Sequence, residues 1–575
     1  MNPSEPPGWI DIGVVIFYLF GVTLLGVWAG RGVSKLSDFF MPRRFGSGMM
    51  IMHAFGTGTA SDQAVTVSAA TFRGGLSGIW YQWLWLFVTP FYWLIAPIFR
   101  RFRAVTTADV YELRFDRSVG VLFAVVGIVN MSVKIGVMLK GTSVLLESST
   151  GGWIDPQWAI LGVTCLFVLY GCAGGLAAAI LTDYAQGLLT ILFSVMLLPF
   201  VLAAVGGMQG VRETLADPQM LSLVAPGKIT WFFIMMMSIQ ALVGIVAQPF
   251  IMGICAAGRS EWEGRVGFSV GNLVKRLCTM LWALTAIAAL AWMLQQGIDP
   301  ASIHPDHIYG LVARTFLADL MPGLLGLFIA TILAGVMSSC DAYMVSSAAL
   351  FTENIYRPAR RDRSDRHYVW VGRVASLAVV IGGIGFANYV PNVIRALEIW
   401  FMIAPMMGLV FWVGLLWRRL NVAGAWATTV TGFFVWWISS QGWFIDLVAA
   451  LPAANQWRLV WTEGGQTVIY LPWQIMLYMA VAVTAGVLVS LVTRPMPDER
   501  LDRFYTLSRT PVAPGEPLVE PCVLPPTTPQ VQRPMWITWA GLEIPRPSRC
   551  SQVGFLVVWL AVGLLIFGFA WFVGH

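Results

Sequence analysis

About fourteen apolar runs of roughly twenty residues follow one another from Trp9 to Phe572, and this succession dictates what the chain can fold into. Twenty helical residues rise about 30 Å, the hydrocarbon thickness of a bilayer. Within lipid, only helices and closed barrels satisfy their own backbone hydrogen bonds. Of 575 residues, 57% are hydrophobic and 11% charged, and the mean hydropathy is +0.71. A water-soluble core of this length cannot hide so much apolar surface. The chain is expected to be an all-α polytopic membrane protein with about fourteen transmembrane helices and the lipid bilayer as its solvent.

The runs are read at 9–30, 45–70, 76–99, 118–146, 157–175, 177–206, 229–256, 268–296, 321–356, 368–390, 393–417, 422–444, 471–494 and 552–573. The first has no basic region before it and no small-residue cleavage site after it, so it reads as a span and not a signal peptide. Basic residues alternate between loops. Arg31, Lys35, Arg43 and Arg44 follow the first run, Arg100, Arg101 and Arg103 the third, and Arg357, Arg360 and Arg361 the ninth. The positive-inside rule then places both termini outside, in a multi-pass protein of the inner or plasma membrane. Topology accounts for the +6 net charge, so no nucleic-acid partner is expected. Seven cysteines with no CxxC spacing give neither a disulfide framework nor a zinc site. From Arg494 to Arg549 the chain is rich in Pro and charge and reads as a cytoplasmic linker with little regular structure. Trp536 to Leu542 reads as a stretch suited to the membrane surface.

Two runs are interrupted at mid-membrane depth. The second carries His53-Ala54-Phe55-Gly56-Thr57-Gly58-Thr59-Ala60-Ser61-Asp62-Gln63, and the seventh carries Gly244 and then Gln248-Pro249. Glycine and hydroxyl residues weaken helix and free backbone carbonyls, although glycines also permit close helix packing. The two interruptions lie five spans apart. Paired broken helices at matching positions point to two inverted repeats and a midplane site between them. The ninth run holds Gly335-Val336-Met337-Ser338-Ser339-Cys340-Asp341, polar residues that are costly in lipid and mark an ion or solute pathway. Sodium, a hard monovalent ion, suits neutral carbonyl and hydroxyl oxygens that replace its water shell without trapping it. Gly335, Ser338, Ser339, Ala342 and Ser346 fall on one small-residue stripe of a helix.

Further motifs carry a family resemblance: Asp38-Phe39-Phe40, Thr107-Ala108-Asp109-Val110-Tyr111, Tyr170 to Leu176 leading into Thr182-Asp183-Tyr184-Ala185-Gln186, Ser338 to Tyr356, and Gly414 to Arg419. In this order the chain resembles the sodium:solute symporters. That resemblance implies a LeuT-like fold of two inverted five-helix repeats with extra peripheral helices. It also implies sodium-driven import of a small polar organic solute, of the sugar, polyol or amino-acid class, by alternating access. The expected divisions are a first peripheral helix and loop at 1–44, a transport core at 45–417, two peripheral helices at 418–494, the linker at 495–550 and a last helix at 551–575.

Matching the family residue by residue assigns the main Na+ site to Gly56 and Thr59 on the second span, with Gly335, Ser338 and Ser339 opposite. Asp183, Ser338 and Asp341 form a possible second cation site. Alternatively, Asp183 caps its helix, and Asp341 takes a proton or pairs with Lys134 or Lys275. Asp62 and Gln63 stand where sugar-transporting relatives contact substrate, and Gln248 and Lys275 are assigned with them to the solute cavity. Glu398 and Pro405 mark an outer gate, with Pro405 a kink. A solute sensor that does not transport and a proton-coupled symporter are the alternatives. Enzymatic activity is not expected, because no paired histidines, nucleophile elbow or acid–base pair stands at readable spacing.

Overall fold

The computed structural model describes residues 6–30, 40–215, 217–225, 227–463, 466–513, 516, 520–526, 528–529, 531 and 533–575. Arg31, Lys35, Asp38 and Phe39, singled out above, lie outside the described residues. The helices that matter here are α1 (Trp9–Gly30), α2 (Ser47–Gly56), α3 (Ser61–Gly74), α4 (Thr89–Arg101), α5 (Thr107–Arg114), α6 (Arg117–Thr150) and α7 (Pro156–Met196). They continue with α8 (Trp231–Ile245), α9 (Ile251–Ala256), α10 (Glu261–Gln295), α11 (Leu324–Ala349), α12 (Asp365–Tyr389) and α13 (Val393–Leu416). Last come α14 (Val422–Ser439), α15 (Leu471–Val492), α16 (Asp498–Arg509) and α17 (Arg549–Gly574). Among the described residues, eleven helices are long and apolar enough to cross a bilayer.

The second and seventh runs are each built in two pieces, as the sequence suggests. Helix α2 stops after Gly56, and Gly58 then takes φ +83°, a left-handed conformation that glycine adopts without strain. The chain becomes helical again at Ser61. The break between α8 and α9 falls at Val246 to Phe250, where Pro249 lacks the N–H that a continuous helix needs. Gly244, just before it, is a packing residue. A Cβ there would lie 3.2 Å from the ring of Pro405, so α8 and α13 meet closely at this point. Helix α13 stays helical through Pro405.

Helix α11 is the most enclosed of the spanning helices. It packs chiefly on α7 and touches both pieces of the broken α2/α3 pair. The small residues that allow this are those of the polar stripe. A Cβ on Gly335 would sit 3.4 Å from the carbonyl oxygen of Thr59, and one on Gly56 would sit 2.9 Å from Ser338 Oγ.

Two expectations need correction. Helical hydrogen bonding is continuous through α7, so no gap between helices appears at 175–177. The glycines at that point do not stop a helix without a proline or cap, and α7 ends instead at Leu197, ahead of Pro199. The segment after Arg494, expected to hold little regular structure, carries a helix and a hairpin among its described residues. Its first part is α16, which buries Leu501, Phe504, Tyr505 and Leu507 along one face and ends before Pro511. Bidentate contacts at 2.5 and 2.9 Å tie Arg103 to Glu516, and Arg418 and Arg509 both hold Glu543. Glu543 belongs to an antiparallel hairpin, Met535–Trp539 with Leu542–Pro545, that exposes Trp536, Ile537 and Trp539.

Candidate transport site

The break in α2/α3 and the middle of α11 form one seam. Ser339 Oγ donates to the carbonyl of Gly56 at 2.9 Å and accepts the Gly58 N–H at 3.1 Å, so a single hydroxyl bridges both sides of the break. The Gly56 carbonyl also accepts the Thr59 N–H at 3.0 Å. Gly335 brings α11 against the Thr59 carbonyl, as described above. The five residues assigned to the main sodium site therefore converge. Their donor set, backbone carbonyls and neutral hydroxyls, is the chemistry a monovalent hard cation takes.

At the edge of that seam, Ser338 Oγ donates to Asp183 Oδ1, and the other carboxylate oxygen lies 2.6 Å from His53 Nδ1. The Thr57 hydroxyl is 3.3 Å from the same ring nitrogen. The proposed second site thus brings together Asp183 and Ser338, with His53 as an additional member. Asp341 has no hydrogen bond or ion pair with a described residue, and its buried Oδ1 lacks a partner. Neither lysine considered for it is its partner. The sequence offers one clue to His53: it is an ionisable side chain inside an apolar helix one turn before Gly56.

Beside the seam lies a narrow chamber of about 50 Å³. Gln63, Gln248 and Lys275 line it, together with Tyr343, Arg276 and Trp400. The Gln63 amide donates to the Gly58 carbonyl, and Gln248 keeps a buried carbonyl oxygen without a partner. Lys275 Nζ donates to the buried Thr57 carbonyl at the helix break, at 2.5 Å. Asp62, expected in this cavity, does not line it. Its carboxylate pairs with Lys134 at 2.7 Å, and both side chains are almost wholly buried. Lys134 Nζ also sits 4.5 Å from the Trp400 ring centroid. The Asp62 position is set by α3, whose partner helix α6 carries Lys134 seventy-two residues away, a pairing that chain order does not reveal.

Trp85 and Trp400 line both this chamber and a neighbouring small pocket, where Phe401 joins them in an aromatic layer, and a separate vestibule measures about 560 Å³. Glu398 lines the vestibule, where it accepts Tyr81 Oη at 3.1 Å and faces Arg395 at 3.4 Å and Lys228 at 3.7 Å. The Gln240 amide donates to the Phe401 carbonyl at 2.8 Å, fixing α8 to α13 behind that layer.

Residues 39–432 match the pattern of the sodium:solute symporter family. The chain belongs to this family. Sodium/myo-inositol cotransporter 2 of Oryctolagus cuniculus is 23% identical over 92% of the chain and 82% of its own length. Sodium-coupled monocarboxylate transporter 1 of Xenopus laevis is 27% identical over 74% of the chain and 69% of its own length. A Na+-coupled sialic acid symporter of solved structure superposes with a TM-score of 0.70 at 20% identity, covering 85% of this chain and 99% of that one. The fold is thus the LeuT-like one. The relatives are transporters, and their named solutes differ in charge and size, so family membership leaves the solute open.

Proposed function

We propose that the protein imports a small polar organic solute together with sodium by alternating access, in the inner or plasma membrane. The observation that carries this reading is Ser339. It bridges the Gly56 carbonyl and the Gly58 N–H across a helix break, at a seam lined with neutral oxygens. Sodium entering from outside takes oxygens from α2/α3 and α11 at once, and so stabilises the arrangement in which these helices are drawn together. The solute occupies the chamber beside Gln63, Gln248 and Lys275. The Trp85, Trp400 and Phe401 layer and the Glu398 cluster close over it before the inner side opens.

Each sodium moving down about 100 mV contributes roughly 2.3 kcal/mol, about 50-fold in concentration ratio before the sodium gradient is added. Asp183 with Ser338 is a candidate for a second cation, and Pro405 for the hinge beside Gly244. The test is solute uptake into sealed vesicles as sodium is varied. Ser339→Ala should raise the half-saturating sodium concentration by about tenfold, the effect of one lost polar ligand. An unchanged sodium curve would remove Ser339 from the site.

A further inference from the structure

We infer that the solute is an organic anion, with its carboxylate held by Lys275. This rests on the symport reading above and specifies what occupies its chamber. Three cationic side chains, Lys134, Lys275 and Arg276, line the chamber, and none of its described lining residues is acidic. Asp62 matches Lys134 from outside the lining. Arg276 is turned toward Gln82, donating to its backbone carbonyl and, at 3.3 Å, to its side-chain oxygen. Lys275 differs from both. Among the described residues its ammonium has one hydrogen bond, to the neutral Thr57 carbonyl, although it carries three donors.

The surroundings keep that ammonium accessible. Gly58, with φ +83°, passes directly beside it. A Cβ there would fall 3.6 Å from Lys275 Nζ and 2.7 Å from Tyr343 Oη, filling the space an anionic head would take. The Tyr343 hydroxyl lines the same corner and supplies a neutral donor. The ammonium lies near two other cations, Arg276 and Lys134, and its one carboxylate neighbour among the described residues, Asp183, is not in hydrogen-bond contact with it, so burial is costly and an incoming carboxylate relieves that cost. The vestibule continues the pattern. Among its described lining residues Arg73, Lys228 and Arg395 stand against one carboxylate, that of Glu398, a lining that favours anions on the way in. Sodium in the adjoining seam adds a further positive charge beside the anion, so each cargo raises the affinity for the other.

The full-length purified protein is tested with matched probes that differ mainly in charge, L-lactate against L-lactamide and D-gluconate against D-glucitol, and with myo-inositol as a neutral cyclic polyol. Thermal stabilisation is read in sodium and in potassium, and vesicle uptake is read with the same solutes. A carboxylate should stabilise the wild-type protein in sodium where its neutral partner does not. Lys275→Met should weaken the carboxylate response by roughly 30-fold or more, and Lys275→Arg by less, while stabilisation by sodium alone persists in both. Equal responses to the charged and neutral members of each pair overturn the inference, as does no response to either carboxylate. Because that comparison uses the wild-type chain, it holds even if Lys275→Met fails to fold. Sodium-driven uptake of myo-inositol with no carboxylate response overturns the anion and leaves symport standing. A carboxylate response of the same size in potassium does the reverse.

Discussion

Removing either partner of the Asp62–Lys134 pair should destabilise the protein, whereas removing both together should not. The two groups meet at 2.7 Å, with side-chain exposures of 0% and 2%. At an effective dielectric of about 20, Coulomb's law gives an attraction near 6 kcal/mol at that distance, offset by several kcal/mol of desolvation for each ion. The pair therefore adds little over an apolar replacement. A single substitution instead leaves a charge buried in the bundle, at a cost of about 3–5 kcal/mol. Asp62→Asn, Lys134→Met and the Asp62→Leu/Lys134→Met double variant form the set, compared by thermal unfolding of the purified protein in detergent. The single variants should melt well below the wild type, and the double variant should recover most of the loss. The competing reading makes Asp62 a direct solute ligand. If Asp62→Asn melts like the wild type yet no longer responds to solute, the ion-pair argument is refuted.

Other consequences are as direct. Gly58→Ala should fold poorly or transport slowly, since it adds backbone strain of about 1–3 kcal/mol and a Cβ 2.7 Å from Tyr343 Oη. Uptake normalised to the folded fraction from size-exclusion chromatography reads this, and normal uptake would contradict the described break. Glu516→Gln should loosen the segment after α16 by weakening its bidentate hold on Arg103. Limited proteolysis should then cut between 510 and 534 several times faster than in the wild type, with sodium-dependent uptake largely retained.

The helix breaks were legible in the sequence because their causes are local. Gly56-Thr57-Gly58 and Gln248-Pro249 each carry their own reason to interrupt a helix. Ser338 and Ser339 were legible for the same reason, as hydroxyls on a small-residue stripe. Asp62 was not: an acid beside a helix break reads as a free ligand until packing brings Lys134 to it from another helix. His53 was hidden in the same way, since its meaning depends on Asp183, 130 residues away. The segment from 494 to 549 was misread through composition. Its prolines flank the amphipathic run of Asp498–Arg509 without entering it, Pro495 and Pro497 before it and Pro511 after it, and the buried face of that run finds α4 and α5.

The central claim is coupling of sodium to solute, and tracer sodium entry into sealed proteoliposomes tests it most directly. Entry is measured with and without each of L-lactate, D-gluconate, myo-inositol and L-proline outside, and accumulation of the same solutes is measured in parallel. The account predicts that at least one solute accelerates sodium entry, and that its own accumulation above equilibrium collapses when potassium replaces sodium. A sodium flux indifferent to every solute, or equal accumulation in potassium, would contradict it.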